Sequence, residues 1–172
     1  MNTTNWTIDN THSEIAFKVK HMMISTVTGH FDDFQATVET DGDQFKDAKI
    51  SFSAKTASIN TKNKDRDAHL QSDDFFNSEK YPDMTFVSKS FDGEHLVGDL
   101  TIRDITKSVN LAVEFNGIAV DPYGQTKAGF EITGAINRKD FNLTWSAVTE
   151  AGNIVVSDTI KLVIDAQFVK QA

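Results

Sequence analysis

The sequence predicts an all-β protein, an eight-stranded antiparallel up-and-down barrel with one helical insertion. Eight segments carry apolar residues at every second position, which is the pattern of half-buried strands. Short turn sequences such as Asp92-Gly93 and Asn116-Gly117 separate most of them, so neighbouring strands are antiparallel. Several segments are long, and long strands with one apolar face close most economically into a barrel, with a two-sheet sandwich as the less favoured alternative.

The clearest strand is 108–116, where Val109, Leu111, Val113 and Phe115 share one face and polar residues dominate the other. The same alternation predicts the remaining strands. In chain order the eight predicted strands are 14–20, 31–39, 49–55, 84–91, 96–103, 108–116, 130–136 and 154–169. No linker or change of composition interrupts residues 1–172, which therefore predict a single domain.

The alternation stops between strands three and four, where the signals become helical. Asn60 or Thr61 can cap a helix, and Tyr81-Pro82 ends helical structure, so we expect a short helical insertion near residues 61–80. The residues near 21–26 are compatible with a second short helix.

Two pairs of adjacent apolar residues belong to these predicted helical segments. Phe75 and Phe76 cannot both lie on one helical stripe, so at least one should point into the barrel mouth or against a strand. Met22 and Met23 lie in the other segment, and we expect both pairs to line or close the mouth.

Charge and composition exclude several functions. The formal net charge is -8, which disfavours nucleic acid as a partner, and the lack of cysteine excludes disulfides and thiolate chemistry. No window approaches the roughly 20 apolar residues of a spanning helix, so we expect no stable membrane insertion. The N-terminus lacks the pattern of a signal peptide, which predicts a cytoplasmic location, or a periplasmic one if the chain has been trimmed.

The predicted interior is rich in phenylalanine. There are 13 Phe residues against two Trp and two Tyr, and many Phe lie on the apolar face. These rings could fill a closed core, as native interiors pack densely. Small residues beside them favour an apolar slot that holds a chain-like ligand: Ala16, Ala54, Gly98, Gly134 and Ala166.

The residue types of catalytic and metal sites occur without the pattern that such sites need. Asp9, His12 and Ser13 are so close in sequence that a turn, with Asp9 and Ser13 bound to backbone amides, is the simpler interpretation. Among the five histidines, only His69 has a carboxylate, Asp65, at helical ligand spacing. We therefore expect no catalytic residues, no metal site and no enzyme activity.

The order of motifs along nearly the whole chain resembles the YceI-like family. The residues that carry the resemblance are Trp6-Thr-Ile-Asp9, His12-Ser13, His21, Gly29-His-Phe31, Phe34, Asp67-Ala-His69-Leu70, Asp74-Phe75-Phe76, Tyr81-Pro82, Thr85-Phe86, Gly98-Asp-Leu100-Thr101-Ile102, Asn137-Arg138-Lys-Asp140-Phe141 and Trp145. The resemblance implies a lipocalin-like barrel whose lumen holds a polyisoprenoid chain, such as a quinone tail or a polyprenyl lipid. It also implies no cofactor other than that lipid or quinone, and a possible homodimer.

We therefore expect a protein that binds a polyisoprenoid lipid for transport, storage or sequestration. The alternatives are an enzyme that uses rim histidines on an apolar substrate, and a ligand-free interaction module of the stress response. The predicted lining of the lumen and mouth is Phe17, Val19, Met22, Met23, Phe34, Phe52, Phe75, Phe76, Phe86, Leu100, Leu111, Val113, Phe115, Phe130, Ile132, Trp145, Leu162 and Ile164.

Overall fold

The computed structural model describes residues 3–145 and 156–172, which form one antiparallel sheet that closes on itself. One helix, α1 (Lys64–Leu70), interrupts the series of strands. The strands are β1 (Thr3–Ile8), β2 (Glu14–His21), β3 (Ser25–Phe31), β4 (Phe34–Asp41), β5 (Gln44–Lys55), β6 (Ile59–Asn60), β7 (Asp83–Phe91), β8 (His95–Ile102), β9 (Ile105–Val120), β10 (Thr126–Asn137) and β11 (Val156–Lys170).

These eleven strands occupy the eight strand positions of a barrel, because three positions are each shared by two consecutive strands. β1 and β2 follow each other along one edge of β11, β3 runs into β4 across two residues, and β5 runs into β6 across a 3-10 turn. β1 closes the barrel because it pairs with β4 on one side and with β11 on the other. The predicted eight-stranded antiparallel barrel is therefore confirmed.

The connections define two different ends. At the lower end are the short hairpins β4–β5, β7–β8 and β9–β10. At the upper end are the β2–β3 and β8–β9 turns, the segment 61–82 that contains α1, and residues 138–145, which follow β10. We call residues 61–82 the capping segment. The predicted start of the last strand at residue 154 lies outside the described residues.

The helical insertion is present but shorter than predicted. Its N-cap is Asn63, whose side chain accepts a hydrogen bond from the Arg66 amide at 3.0 Å, and neither Asn60 nor Thr61 caps it. After Leu70 the capping segment consists of turns rather than a second helix. The helix is short because the next residues turn back, with the Phe76 amide donating to the Leu70 carbonyl at 3.0 Å.

The helix predicted near 21–26 is wrong. This segment is the tight turn of the β2–β3 hairpin, in which Met22 and Met23 have φ angles of 52° and 59° and the Ile24 amide donates to the His21 carbonyl. Two consecutive left-handed residues match the right-handed twist of the flanking strands, and they are incompatible with a right-handed helix.

Aromatic side chains fill the lower end of the barrel. Phe45 lies 5.0 Å from Trp6 and 5.0 Å from Phe130 between ring centroids, and Phe130 lies 6.0 Å from Phe168. The indole nitrogen of the fully buried Trp6 donates to the Thr40 hydroxyl at 2.9 Å. The lower end is therefore a packed plug rather than an opening.

An ion-pair network fastens the junction of β1 and β2 to the start of β10. Lys127 Nζ lies 2.6 Å from Asp9 Oδ2 and 3.4 Å from Asp121 Oδ2, and His12 also contacts Asp9. The hydrogen bond from Lys127, aided by His12 and opposed by partial burial, lowers the pKa of Asp9 to about 2. The folded state therefore favours the charged form of Asp9.

We predict that Asp9→Asn lowers stability at neutral pH and that the difference from wild type disappears in acid. Because the pKa of Asp9 is lower in the folded protein than its ordinary 3.8, its stabilisation is present above that value and is lost as the pH falls towards 2. Thermal melts between pH 2 and pH 7 measure this. Asp43→Asn is the control, because Asp43 is an exposed partner of Lys170 and its loss should have little effect at neutral pH. A gap between wild type and Asp9→Asn that does not narrow in acid contradicts the prediction.

Candidate functional site

The barrel encloses an apolar cavity of about 350 Å³ above the aromatic plug. This volume lies within the range of small-molecule sites, about 300–1,000 Å³. Twelve of the predicted lining residues lie on its wall: Phe17, Val19, Phe52, Phe75, Phe76, Phe86, Leu100, Leu111, Ile132, Trp145, Leu162 and Ile164.

The other six predicted residues do not line this cavity. Phe130 and Phe115 belong to the lower end, where their ring centroids lie 5.1 Å apart and Phe115 also packs against Phe45 at 5.4 Å, although Phe115 is 46% exposed. Met22 and Met23 lie in the hairpin turn at the upper end, where Met23 is 64% exposed. Phe34 and Val113 pack in or against the core away from the cavity surface.

Several wall residues were absent from the predicted set. Met84, Leu96, Ile136 and Ile160 lie at inward positions of strands, and the alternation could have identified them. Arg66 also lies on the wall, although nothing in the sequence distinguishes it from other surface arginines.

Glycines create the space along the wall. Gly29 faces Phe17 across the β2–β3 pair, and a Cβ on Gly29 would overlap the Phe17 ring. A Cβ on Gly98 would overlap both the Phe86 ring and the Val87 carbonyl oxygen. Because glycine has no side chain, these rings can lie directly against the backbone of the neighbouring strand. They therefore project less far towards the barrel axis than they would beside larger residues.

At the upper end, the capping segment places aromatic side chains over the cavity. The His69 ring lies edge-on between Phe75 and Trp145, with centroid distances of 5.2 and 4.9 Å. Phe76 instead packs edge-on against Phe31 at 5.7 Å. The two adjacent phenylalanines thus point to different partners, and both are buried.

Hydrogen bonds stabilise the start of the capping segment internally and attach its middle to the β8–β9 turn. Asp67 accepts from the backbone amide of Thr61 at 2.9 Å, and Arg66 donates to the Thr61 carbonyl at 2.7 Å. Farther along, Arg103 from the β8–β9 turn donates to the carbonyls of Asp73 and Phe75 at 2.8 and 3.0 Å. The aromatic residues over the cavity are therefore held by the backbone on either side of them.

Arg138 organises the connection between β10 and β11. Its buried guanidinium donates to the carbonyls of Leu143 and Trp145, both at 2.6 Å, and to the carbonyl of Ser157 at 3.1 Å. Burial lowers the pKa of Arg138, and the nearby Asp158 carboxylate partly offsets this effect. Arg138 positions the Trp145 backbone at the rim of the cavity.

All charged side chains on the described part of the cavity wall are basic. The wall includes Arg66 and Arg138, together with His21 and His69, and it contains no Asp or Glu; Lys20 also borders it, but its ammonium lies on the opposite face of β2, where it donates to Thr26. All five belong to the upper end, at the end of β2, on α1 or just after β10. The cavity is thus apolar along its length and basic at one end.

Comparison with known proteins identifies the family. The model of the YceI-like domain matches residues 6–168. A UPF0312 protein of Staphylococcus aureus strain MSSA476 is 40% identical over 166 residues, which cover 96% of this chain and 97% of the relative. The chain belongs to the YceI-like family.

Solved structures share the same barrel. The YCEI protein of Campylobacter jejuni is 38% identical, with a TM-score of 0.74 over 89% of this chain and 90% of the other. BcnA of Burkholderia cenocepacia has a TM-score of 0.78 over 93% and 98% of the two chains at 21% identity. A polyisoprenoid binding domain from Saccharophagus degradans has a TM-score of 0.71 over 96% and 98% at 15% identity. The latter two likenesses concern the fold alone.

His12 lies apart from the other two rim histidines of this YceI-like barrel, His21 and His69, which both line the upper end of the cavity. His12 contacts Asp9 towards the lower end, whereas His21 lies at the opposite end of β2 and His69 contacts Asp74 on the capping segment at 2.8 Å. Within residues 3–145 and 156–172, no three His, Cys, Asp or Glu side chains are grouped to hold a metal ion. No helix in these ranges is long and apolar enough to cross a membrane.

The predicted turn at the start of β2 is confirmed. Asp9 accepts a hydrogen bond from the Thr11 amide at 3.0 Å. Ser13 accepts from the Gln167 amide at 2.9 Å and donates to the Gln167 carbonyl. Ser13 therefore joins the chain to β11 instead of facing His12 as a nucleophile would.

We predict that Gly98→Ala destabilises the YceI-like barrel by about 1–3 kcal/mol, because the new methyl group meets backbone as well as the Phe86 ring. Gly129→Ala is the matched control, since a Cβ added at Gly129 would have its nearest neighbour 3.8 Å away, in Asn116. Urea unfolding of both variants measures the difference. Equal stabilities would show that the close packing of Phe86 over Gly98 does not constrain the wall.

Proposed function

We propose that this protein binds a polyisoprenoid lipid, either a quinone tail or a polyprenyl chain, along the axis of its barrel. The observation that carries the proposal is the apolar cavity itself. Dense packing is the rule in protein interiors, and the barrel instead keeps a continuous space between the aromatic plug and the capping segment. This continuous space also disfavours the alternative of a ligand-free interaction module.

The shape of the cavity suits a long thin ligand. Along β11, wall residues extend from Val156 to Phe168. At ~3.3 Å per residue and a tilt of ~40°, this run corresponds to a depth of ~30 Å. A compact ligand would occupy only part of such a length, whereas a chain could contact the wall throughout.

The chemistry of the wall suits a hydrocarbon. Below the basic end, the wall consists of Phe, Leu, Ile, Val, Met and Ala side chains. Each methylene group moved from water to such surroundings contributes about 0.8 kcal/mol. An isoprenoid chain would therefore bind mainly through its tail, which is consistent with the description of the Saccharophagus relative as a polyisoprenoid binding domain.

A binding function, for transport, storage or sequestration, accounts for these features better than catalysis does. The enzyme alternative requires the rim histidines to converge, and His12 lies towards the lower end, away from His21 and His69 at the upper end. Groups that act together in acid–base catalysis must be within hydrogen-bond reach of one substrate. Binding requires only the cavity and an entrance.

The proposal predicts that Ile164→Trp abolishes lipid binding while the barrel remains folded. Ile164 lies on the cavity wall, so the larger ring would occupy the space of the ligand. Val163→Trp is the matched control, because the adjacent side chain does not line the cavity. Uptake of a fluorescent tetraprenyl probe, with circular dichroism for folding, measures the effect.

Organic extraction of the purified wild-type protein with mass spectrometry provides an independent test. Prenyl lipid recovered from wild type and Val163→Trp, but not from Ile164→Trp, supports the proposal. A wild-type protein that neither retains nor takes up any prenyl lipid overturns it.

A further inference from the structure

The turn of the β2–β3 hairpin exposes apolar side chains at the upper end of the barrel. We call Met22–Ile24 the hairpin tip. Met23 is 64% exposed and Ile24 is 81% exposed, and the two are adjacent in the chain. Removing such side chains from water is favourable, so a partner that covers them would gain binding energy.

The backbone of the hairpin tip would be more stable with other residues. Met22 and Met23 have φ angles of 52° and 59°, in the left-handed region where Gly and Asn are preferred. Residues held in such conformations concentrate at functional sites, where their function outweighs the strain. The sequence therefore keeps apolar side chains at an exposed turn that polar residues would stabilise.

The charges beside the hairpin tip are basic although the chain as a whole is acidic. The chain has 25 Asp and Glu against 17 Lys and Arg, yet residues 15–31 contain Lys18 and Lys20 and no acidic residue. On the neighbouring strand β11, Lys161 pairs directly with Lys18. Asp158, on the same strand, already contacts Lys139 at 3.4 Å. A negatively charged surface at this end would therefore meet lysines.

The lysines lie a short distance behind the hairpin tip. Lys20 and Lys18 precede Met22 by two and four residues. At ~3.3 Å per residue, their Cα atoms are ~7 and ~13 Å from that of Met22 along the strand. Both side chains leave the outer face of the barrel, because Phe17 and Val19, at the alternate positions, line the cavity. Apolar residues followed by flexible cations match the hydrocarbon and head-group layers of a membrane.

The lower end of the barrel also exposes apolar residues, but its charges are of the opposite sign. Val120 is 68% exposed and Tyr123 is 89% exposed in the β9–β10 hairpin. The neighbouring lower turns carry Asp41, Asp92 and Asp121. An anionic surface would repel this end, and the aromatic plug separates it from the cavity. Of the two ends, the upper one combines apolar residues with basic surroundings.

We propose that the hairpin tip docks on the surface of a lipid bilayer that carries anionic head groups. Met23 and Ile24 enter the edge of the hydrocarbon layer. Lys18 and Lys20 contact the head groups. The acidic lower end opposes this only weakly, because charges more than about 10 Å away are largely screened at 0.1 M salt.

Membrane docking goes beyond the proposed function and can be tested without a ligand in the cavity. The two are nevertheless connected in the structure, because the same hairpin contributes Val19, His21 and Val27 to the upper part of the cavity wall. Docking through the hairpin tip would therefore bring the upper end of the cavity to the membrane.

The test is cosedimentation of the full-length protein with vesicles of phosphatidylcholine alone, or of phosphatidylcholine and phosphatidylglycerol in equal amounts. At about 0.1 M salt we expect the partition coefficient to be at least about fivefold higher for the anionic vesicles, and we expect this preference to shrink at about 0.5 M salt.

Ile24→Asp should lower the partition coefficient at least about fivefold, because it replaces an apolar contact with a negative charge. Val120→Asp is the matched control, since it adds the same charge at a similarly exposed residue of the lower end and should bind as wild type does. Met23→Asn should also weaken binding without lowering the thermal midpoint, because Asn tolerates left-handed geometry. Loss of binding in that variant cannot be attributed to unfolding.

The lysines are tested by the double substitution Lys18→Gln and Lys20→Gln, which should remove the preference for anionic vesicles. The matched control is Lys46→Gln with Lys49→Gln, which removes the same charge from β5 away from the hairpin tip.

A wild-type protein that binds neither kind of vesicle would overturn the docking inference, while uptake of the tetraprenyl probe would still decide the proposed function. Equal losses in Ile24→Asp and Val120→Asp, or in the two lysine pairs, would also overturn it, because the effect would then be one of net charge. The inference is equally wrong if Ile24→Asp leaves vesicle binding intact and converts a wild-type oligomer to a monomer in light scattering, since the hairpin tip would then cover a second copy of the chain.

Discussion

Closure of the barrel by its last strand is the constraint on which the remaining structure depends. β11 pairs with β10 along one edge, and along the other edge with β2 in its first part and with β1 near its end. Without these pairs β1 and β2 would be open edges, and no enclosed interior would exist. Ser13 strengthens this seam at the break between the two strands, where it bonds the Gln167 backbone in both directions.

The interior of an eight-stranded barrel is just small enough for side chains to fill it, so an open lumen requires residues that keep side chains away from the axis. In this protein Gly29 and Gly98 let the rings of Phe17 and Phe86 lie close to the wall. The aromatic plug around Phe45 fills the lower end, while the upper end is covered by a separate segment that hydrogen bonds hold in place. The apolar cavity is therefore filled by aromatic residues at its lower end and covered by the capping segment at its upper end, where the basic residues lie.

The strands can be predicted from the sequence because each half-buried strand alternates apolar and polar residues. Inward residues such as Leu111 and Ile132 follow this alternation. The β2–β3 turn was not predictable in this way, because Met22 and Met23 adopt left-handed geometry without the usual Gly or Asn signal. Alternation correctly places Phe115 and Phe130 on the inward face, but it does not tell which inward residues fill the lower end around Phe45 and which line the cavity. The basic residues at the upper end of the cavity come from β2, from α1 and from the residues after β10, and only the folded chain brings these elements together.

The central claim is that the barrel holds a prenyl chain along its axis. A high-resolution crystal structure of protein purified without added lipid tests it most directly. The account predicts continuous density for a thin chain beginning between Trp145 and the capping segment and passing Leu162 and Ile164 towards Phe168. A cavity that contains only ordered water, or that is closed by inward rotation of Phe17 and Phe86, would contradict it.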